Sequence, residues 1–328
     1  MLGPSSINRV GSASIAPTVT VGDVAFSDVS MQETIALILL LVQKGASAHH
    51  ICTGNLDHLF LLQKHAGLRN AYRTASLVLA DGMPIVWLSR LARSRKKDSP
   101  LPSPAYVPSE DHGSADLDAV IASLGEDNGK DLGKPVTMSN EAATPLRERV
   151  AGSDLFWELA RVSAHCNLRI FYLGGKPGAA QEAADVVQKR YPGAQVCGVY
   201  CPPFETFNTD EEQDEIARRI REAAPDVLLV GLGAPKQETW IVDHKDRLGV
   251  PVSIGVGGSF EMAAGQVQRA PKWVQRVGME WAFRLAQDPS RLWRRYFCND
   301  LPFLSRLAGQ MLRERFAREN TPSCIVDR

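Results

Sequence analysis

The chain has no apolar stretch long enough to cross a bilayer. Its longest strongly apolar run, Ile35–Val42, is eight residues, where a helical span needs roughly 18. Net charge is also missing: 37 Lys and Arg balance 37 Asp and Glu, so total charge excludes no class of partner. The six cysteines (Cys52, Cys166, Cys197, Cys201, Cys298 and Cys324) form no framework. Cys197 and Cys201 lie four apart, but no second pair or histidine cluster stands near to complete a metal site, and reduced thiols in a cytoplasmic protein are expected. The beginning of the chain lacks the basic-then-apolar layout of a signal peptide. The D-x-D motif Asp116-Leu117-Asp118 is the only one in the chain and sits in an acidic stretch away from any strand end. No metal is therefore expected.

What is present is ordinary globular material, 328 residues with 44% hydrophobic and 23% charged, enough for one large α/β domain. Charge is unevenly distributed. Residues 99–146 hold eight acidic and two basic residues, and residues 269–318 hold eleven basic and four acidic. The basic block suggests an anionic partner such as phosphate, nucleic acid or a membrane surface, or else a solvated arginine-rich helix face.

Short apolar runs alternate with segments of helical spacing. Strands are expected at His50–Thr53, Leu77–Ala80, Leu168–Leu173, Gln195–Val199, Val227–Val230 and Val252–Val256. Helices are expected at Met31–Lys44, Asp57–Ala75, Pro84–Arg93, Asp154–Cys166, Ala179–Arg190, Asp210–Ala223 and Lys236–Leu248, then at 273–287, 289–297 and 301–318. The alternation implies an α/β fold, a Rossmann-like, mostly parallel sheet with helices on both faces, closed by a helical C-terminal appendage. Residues 1–20 read as a loose leader, 21–268 as the α/β domain and 269–320 as the basic appendage. Residues 94–146, proline-rich and then acidic, read as a mobile insertion within the domain.

In an open parallel sheet, ligands bind at the carboxyl ends of the strands. Four such ends carry polar or glycine-rich turns: Thr53-Gly54-Asn55, Asp81-Gly82, Gly231 and Gly233 with Pro235, Lys236, Gln237 and Glu238, and Gly257 and Gly258 with Phe260 and Glu261. Such turns let a phosphate approach the backbone and the following helix N-terminus. Neither glycine turn completes G-x-G-x-x-G: Gly231 and Gly233 are followed by Lys236, and Gly255 and Gly257 by Phe260. That argues against an NAD(P)-dependent oxidoreductase. Asp81 is the candidate general base, although by residue type alone an Asp here reads more readily as a cap for the helix that begins near Pro84. Thr53 and Asn55 could bond a sugar or cap their own helix.

These stretches, in this order, resemble the WecG/TagA/CpsF glycosyltransferases. The resemblance runs through TGNLDH (53–58), LVLADGMPIVW (77–87), RVAGSDL (149–155), FYLGGKPG (171–178), PDVLLVGLGAPKQE (225–238), GVGGSFEMAAG (255–265), RAPKW (269–273) and MEWAFRLAQDPSRLWRRY (279–296). It implies a GT-E-like fold and an inverting, metal-independent hexosyltransferase without a cofactor. Its donor would be a UDP-sugar, of N-acetylmannosamine, glucose or related type. Its acceptor would be an undecaprenyl-diphosphate-linked saccharide in exopolysaccharide or cell-envelope polymer synthesis.

By the same resemblance, Asp81 would be the base and Thr53 and Asn55 the sugar-contacting pair. Arg149 would lie near the diphosphate and Gln237 in the pocket. Arg291, Arg294 and Arg295 would enter the site from the appendage, and Arg269 joins this binding set. Glu261 stands where many members carry Asp, and Met83-Pro84 where many carry Gly-Ile or Gly-Val, departures that bear on which sugar is used.

The appendage would place the enzyme peripherally on the inner face of the cytoplasmic membrane. No nucleic-acid partner is expected. In LPFLSRLAGQMLRERF, Leu304, Leu307, Ala308, Met311 and Leu312 recur at helical spacing beside Arg306 and Arg313. Such a face suits an anionic lipid surface, its own domain or a second copy in a homo-oligomer. A non-catalytic adaptor that binds nucleotide or lipid is the remaining alternative.

Overall fold

The computed structural model describes residues 14–45, 47–91, 145–276 and 278–319. Its elements run β1 (Thr18–Val21), β2 (Val24–Ser27), α1 (Met31–Lys44), β3 (His49–Gly54), α2 (Leu56–Leu62), α3 (Ala66–Thr74), β4 (Leu77–Ala80) and α4 (Met83–Leu91). The chain resumes with α5 (Gly152–Cys166), β5 (Arg169–Gly174), α6 (Ala179–Arg190), β6 (Gln195–Tyr200), α7 (Asp210–Ala223), β7 (Val227–Gly231), α8 (Lys236–Leu248) and β8 (Val252–Gly255). It closes with α9 (Ser259–Ala263), α10 (Lys272–Arg276), α11 (Glu280–Gln287), α12 (Pro289–Trp293), a π-helical turn (Arg294–Asp300) and α13 (Leu301–Glu319).

Six strands form one sheet in the order β4-β3-β8-β7-β5-β6, and every neighbouring pair is parallel. The strands are apolar on both faces because both faces are covered. Leu77, Leu79, Ile170, Tyr172, Val227, Leu229, Val252 and Ile254 point into a core shared with α1, α5 and α6. Their sequence neighbours point to the other face, where Val78 and Ala80 pack with α2 and α3, and Phe171, Leu173, Leu228 and Val230 pack with α7 and α8. The period-two alternation of strand side chains divides the core in this way. A Rossmann-like α/β fold with a helical C-terminal appendage is therefore present.

The expected element map is departed from in several places: α9 was not expected, the helix expected over 273–287 is two, α10 and α11, and that over 289–297 gives way to the π-helical turn. Residues 18–20, read with the leader, begin an antiparallel hairpin, β1–β2. Its two-residue turn opens on Gly22 at φ 60°, a backbone state that favours glycine. The hairpin covers the edge strand β4, where Ser27 Oγ accepts the Val78 N–H at 3.1 Å. Next, the helix expected over Asp57–Ala75 is two helices. Arg69 donates to Leu62 O at 2.7 Å and closes α2, and a Cβ on Gly67 would stand 3.0 Å from the Thr239 side chain on α8, so glycine in the first turn of α3 eases the close packing there. The acidic insertion lies outside the described residues up to 144, and with it Arg93 and Asp116-Leu117-Asp118. Residues 145 and 146, read as part of it, belong to the body, with Leu146 buried.

The stripe on α13 is occupied by the protein itself. Phe303, Leu307 and Met311 are buried in the core with the hairpin and α4, with Leu304 and Ala308 packed beside them, and Phe303 meets Phe60 edge-on. The apolar face that suited a lipid surface is thus spent on docking the appendage. Large apolar groups left exposed in the appendage are Trp273, Met279, Trp281, Trp293, Phe297, Leu301 and Phe316. No helix among the described residues is long and apolar enough to cross a membrane. Leu307→Ala should lower stability by about 2–5 kcal/mol, read from urea unfolding; an unchanged midpoint would mean that α13 is not docked as described.

Candidate active site

The site is assembled where β3, β4 and the segment leading into α5 end together. The Asp81 N–H donates to Gly54 O at 2.8 Å, which carries the strand pairing one residue past β4. Gly82, at φ 130°, then turns the chain into α4, a backbone state that other residues rarely adopt. The Val150 N–H donates to Ala80 O at 3.0 Å, which holds the returning segment beside β4 and sets Arg149 next to Asp81. The Gly152 N–H, at the start of α5, donates to Asp81 Oδ2 at 3.4 Å.

Arg149 is 4% exposed. Its Nη2 donates to Asp154 Oδ2 at 2.9 Å and its Nη1 to Glu280 Oε2 at 3.0 Å. Arg269 bonds the other Asp154 oxygen, and Arg284 Nη2 donates to Glu280 Oε1 at 3.1 Å. One continuous network thus runs from the sheet edge (Arg149) through α5 (Asp154) to the appendage (Arg269, Glu280, Arg284). Three guanidiniums share two carboxylates, an excess of one positive charge. Burial pushes the Asp81 carboxyl above its usual range; Arg149 and Arg284 oppose that, and Glu280 reinforces it. The Glu280 carboxyl is held below its ordinary value because Arg284, Arg149 and Arg269 together outweigh the cost of its burial.

A cavity of about 300 Å³ lies between this edge and the appendage. Asp81, Arg149, Glu280 and Arg284 form its charged wall. Met83, Pro84, Trp87, Trp281, Phe297, Leu301 and Leu304 form an apolar wall. Gly278 permits the close approach of the appendage to α4, since a Cβ there would stand 2.6 Å from the Trp87 ring. A second ionic cluster closes the far side: Arg295 in the π-helical turn pairs with Asp57 of α2 at 3.2 Å and faces Asp300 at 3.7 Å. Burial, opposed by Arg295 and helped by Asp57, pushes the Asp300 carboxyl up to about 7.

Of the residues singled out from sequence, Asn55, Asp81, Arg149 and Arg295 converge on this cavity. Asn55 also caps α2, accepting the His58 N–H at 3.2 Å. Arg269 joins through Asp154. Thr53 is buried, and its hydroxyl donates to Gly255 O at 2.8 Å. Gln237 and Glu238 are buried as well; Gln237 Oε1 accepts from Gly233 N and Gly257 N at 3.2 and 3.1 Å, tying the β7 and β8 turns together.

Phe260 is fully buried, and Gly231 must be glycine because a Cβ would stand 2.7 Å from that ring. Glu261, beside Gly258, accepts the Lys176 N–H at 2.8 Å. Lys236, which follows Pro235 at the start of α8, covers the Phe207 ring at 3.5 Å. Arg294 is exposed, and the Arg291 side chain lies outside what is described. Asp57, just beyond the Thr53-Gly54-Asn55 turn, lines the cavity too, and Glu280, Arg284, Tyr296 and Asp300 line it without having been singled out. The Glu280–Arg284 spacing of four resembles a surface pair on a helix, so only the folded contact with Arg149 sets it apart. Among the described residues, no group of three or more His, Cys, Asp or Glu side chains is placed to hold a metal ion.

An α/β sheet edge with a partly buried carboxyl, set beside arginines and capped by a helical appendage, defines the class of site. The chain matches the glycosyl transferase WecG/TagA/CpsF family over residues 19–108 and 132–317, and it belongs to that family. Relatives named N-acetylglucosaminyldiphosphoundecaprenol N-acetyl-beta-D-mannosaminyltransferase include one from Bacillus subtilis (strain 168), 35% identical over 162 residues, 49% of this chain and 60% of the relative. Another, from Staphylococcus aureus (strain MW2), is 31% identical over 159 residues, 48% of this chain and 60% of the relative. The match thus spans well under two thirds of either relative's length.

The ionisation of Asp300 generates a stability prediction. Its folded carboxyl titrates at about 7, above the range of an unfolded aspartate. The stabilisation it contributes is therefore full below the unfolded value and lost as pH rises through about 7. Asp300→Asn should flatten the fall in urea midpoint between about pH 5 and about pH 8 relative to wild type. An equal fall in both proteins would contradict the raised carboxyl.

Proposed function

We propose that the protein is an inverting glycosyltransferase that moves a hexose from a UDP-sugar to a polyprenyl-diphosphate-linked saccharide. The observation that carries this reading is the shared cavity, in which the partly buried Asp81 carboxyl stands with Arg149 and Arg284 in one charged wall, with an apolar wall beside it. In the reaction, an acceptor hydroxyl attacks the anomeric carbon from the face opposite UDP. Asp81 takes the hydroxyl proton as the new glycosidic C–O bond forms, and the bond to UDP breaks with its electron pair leaving on the diphosphate. A carboxyl raised by burial is a stronger base than an exposed one, which suits this step. The charge gathering on UDP is met by fixed guanidiniums, whose planar forks match diphosphate oxygens, so no metal is required.

The relatives' printed name supports the acceptor class, an undecaprenyl-diphosphate-linked N-acetylglucosamine. It also supports N-acetylmannosamine as a sugar to test first. Peripheral attachment to the inner face of a cytoplasmic membrane is part of the proposal. It rests on the exposed Trp273, Trp293, Phe297 and Phe316 among the appendage arginines, a mixture suited to an anionic interface.

Asp81→Asn should lower transfer by about 100-fold to 10,000-fold while UDP binding is little changed. EDTA should leave the wild-type rate unaltered. Retained turnover in the variant would remove Asp81 as the base, and a loss with EDTA restored by Mg²⁺ would overturn metal independence. A non-catalytic nucleotide or lipid binder would bind UDP and transfer nothing from any donor.

A further inference from the structure

Two of the cavity's four carboxylates, Asp81 and Glu280, stand in opposite circumstance. Asp81 receives one hydrogen bond from the described residues, the long one from Gly152 N. Glu280 receives two guanidiniums, Arg149 at 3.0 Å and Arg284 at 3.1 Å. Arg149 lies in the same cavity as Asp81, yet it spends both terminal nitrogens on Asp154 and Glu280. A cation this close would otherwise pair with Asp81 and make it a poor proton acceptor. We propose that Glu280 is a positioning residue of this site, occupying Arg149 and Arg284 from the appendage and keeping both off Asp81 until an anionic leaving group arrives to take them.

This rests on the transferase reading above. Glu280 stands where it can hand both arginines over. It sits at the first position of α11 and is partly open to the cavity, with its side chain 17% exposed. Asp154, which holds Arg149 and Arg269 from the other side, is sealed at 1%. Asp154 therefore fixes the guanidinium planes, and Glu280 is the exchangeable partner. A diphosphate entering the cavity carries more negative charge than one carboxylate and offers more acceptor oxygens, so it competes for the same two forks.

The groups that face Asp81 across the packed elements bear on its titration. They are Arg149 ahead of α5, Glu280 and Arg284 on α11, Tyr72 on α3, Asp57 on α2, and Arg295, Tyr296 and Asp300 in the π-helical turn. Arg295 is already engaged by Asp57 and Asp300. Glu280 is thus the carboxylate bonded to both cations acting on Asp81, with Asp154 holding Arg149 from the other side.

The test is Glu280→Gln, which keeps shape and loses charge. Three effects should occur together. UDP should bind at least about tenfold more tightly, because the competing anion is gone. Transfer should slow, and the acidic limb of its pH profile should move to lower pH. In a ¹³C carboxyl NMR titration, with Asp81→Asn to assign the resonance, the Asp81 midpoint should move in the same direction. Adding Arg284→Met to Glu280→Gln should bring that midpoint back toward wild type while UDP binding weakens. If Glu280 only fastens the appendage, Glu280→Gln would weaken UDP binding and leave the Asp81 midpoint where it was, which would overturn the proposal. Wild-type protein that turns over no donor would refute the transferase reading, and the NMR titration would still decide the role of Glu280.

Discussion

The contact on which the rest of the site depends is the guanidinium of Arg149, gripped by Asp154 on one side and Glu280 on the other. Arg149 reaches its place through backbone pairing with β4, Asp154 through the first turn of α5, and Glu280 through the appendage. Three separate pieces of chain are registered against each other by one buried cation. Removing a single partner of such a pair costs about 3–5 kcal/mol because a charge is left buried alone. The ionic network and the docked face of α13 therefore hold the appendage over Asp81 by independent means, one polar and one apolar.

Balance of charge explains how a base survives among arginines. Three guanidiniums meet two carboxylates in the network, so the wall keeps one surplus positive charge for an incoming anion, and Asp81 is left nearly free of partners. Across the cavity Arg295 is likewise held between two carboxylates, Asp57 and Asp300, there with the acids in excess. Each cluster joins the body to the appendage, so the charges that would handle a nucleotide diphosphate are also the charges that hold the cavity together.

Much of the fold was legible in the sequence because the parallel sheet writes itself as short apolar runs between helical periods. All six of its strands fall within a residue or two of the expected places. The hairpin went unread although Gly22-Asp23 lies between alternating Val19, Val21, Val24 and Phe26, since the leader's composition obscured where order begins. The break near His65 is closed by Arg69 bonding Leu62 O, a contact between the two helices that apolar periodicity does not announce. The stripe on α13 was legible as amphipathic, but its partner was not, because a period of 3.6 cannot distinguish a lipid surface from a neighbouring hairpin.

The site divides along the same line. Asn55 and Asp81, at strand ends, meet in one cavity, and Arg149, which only the family resemblance singled out, meets them there from the segment ahead of α5. The β7 and β8 turns do not line this cavity: Gln237 and Phe260 lie in the interior and brace the loops, a long-range outcome that motif order does not encode. Glu280 and Arg284 were hidden by their helical spacing, and Asp300 by its place in a π-helical turn. The account is tested most directly by a screen of UDP-sugars with a short-chain polyprenyl-diphosphate-N-acetylglucosamine acceptor, reading the anomeric configuration of the product. One donor should be consumed only when the acceptor is present, with its configuration inverted. Consumption of none, or a product of retained configuration, would contradict it.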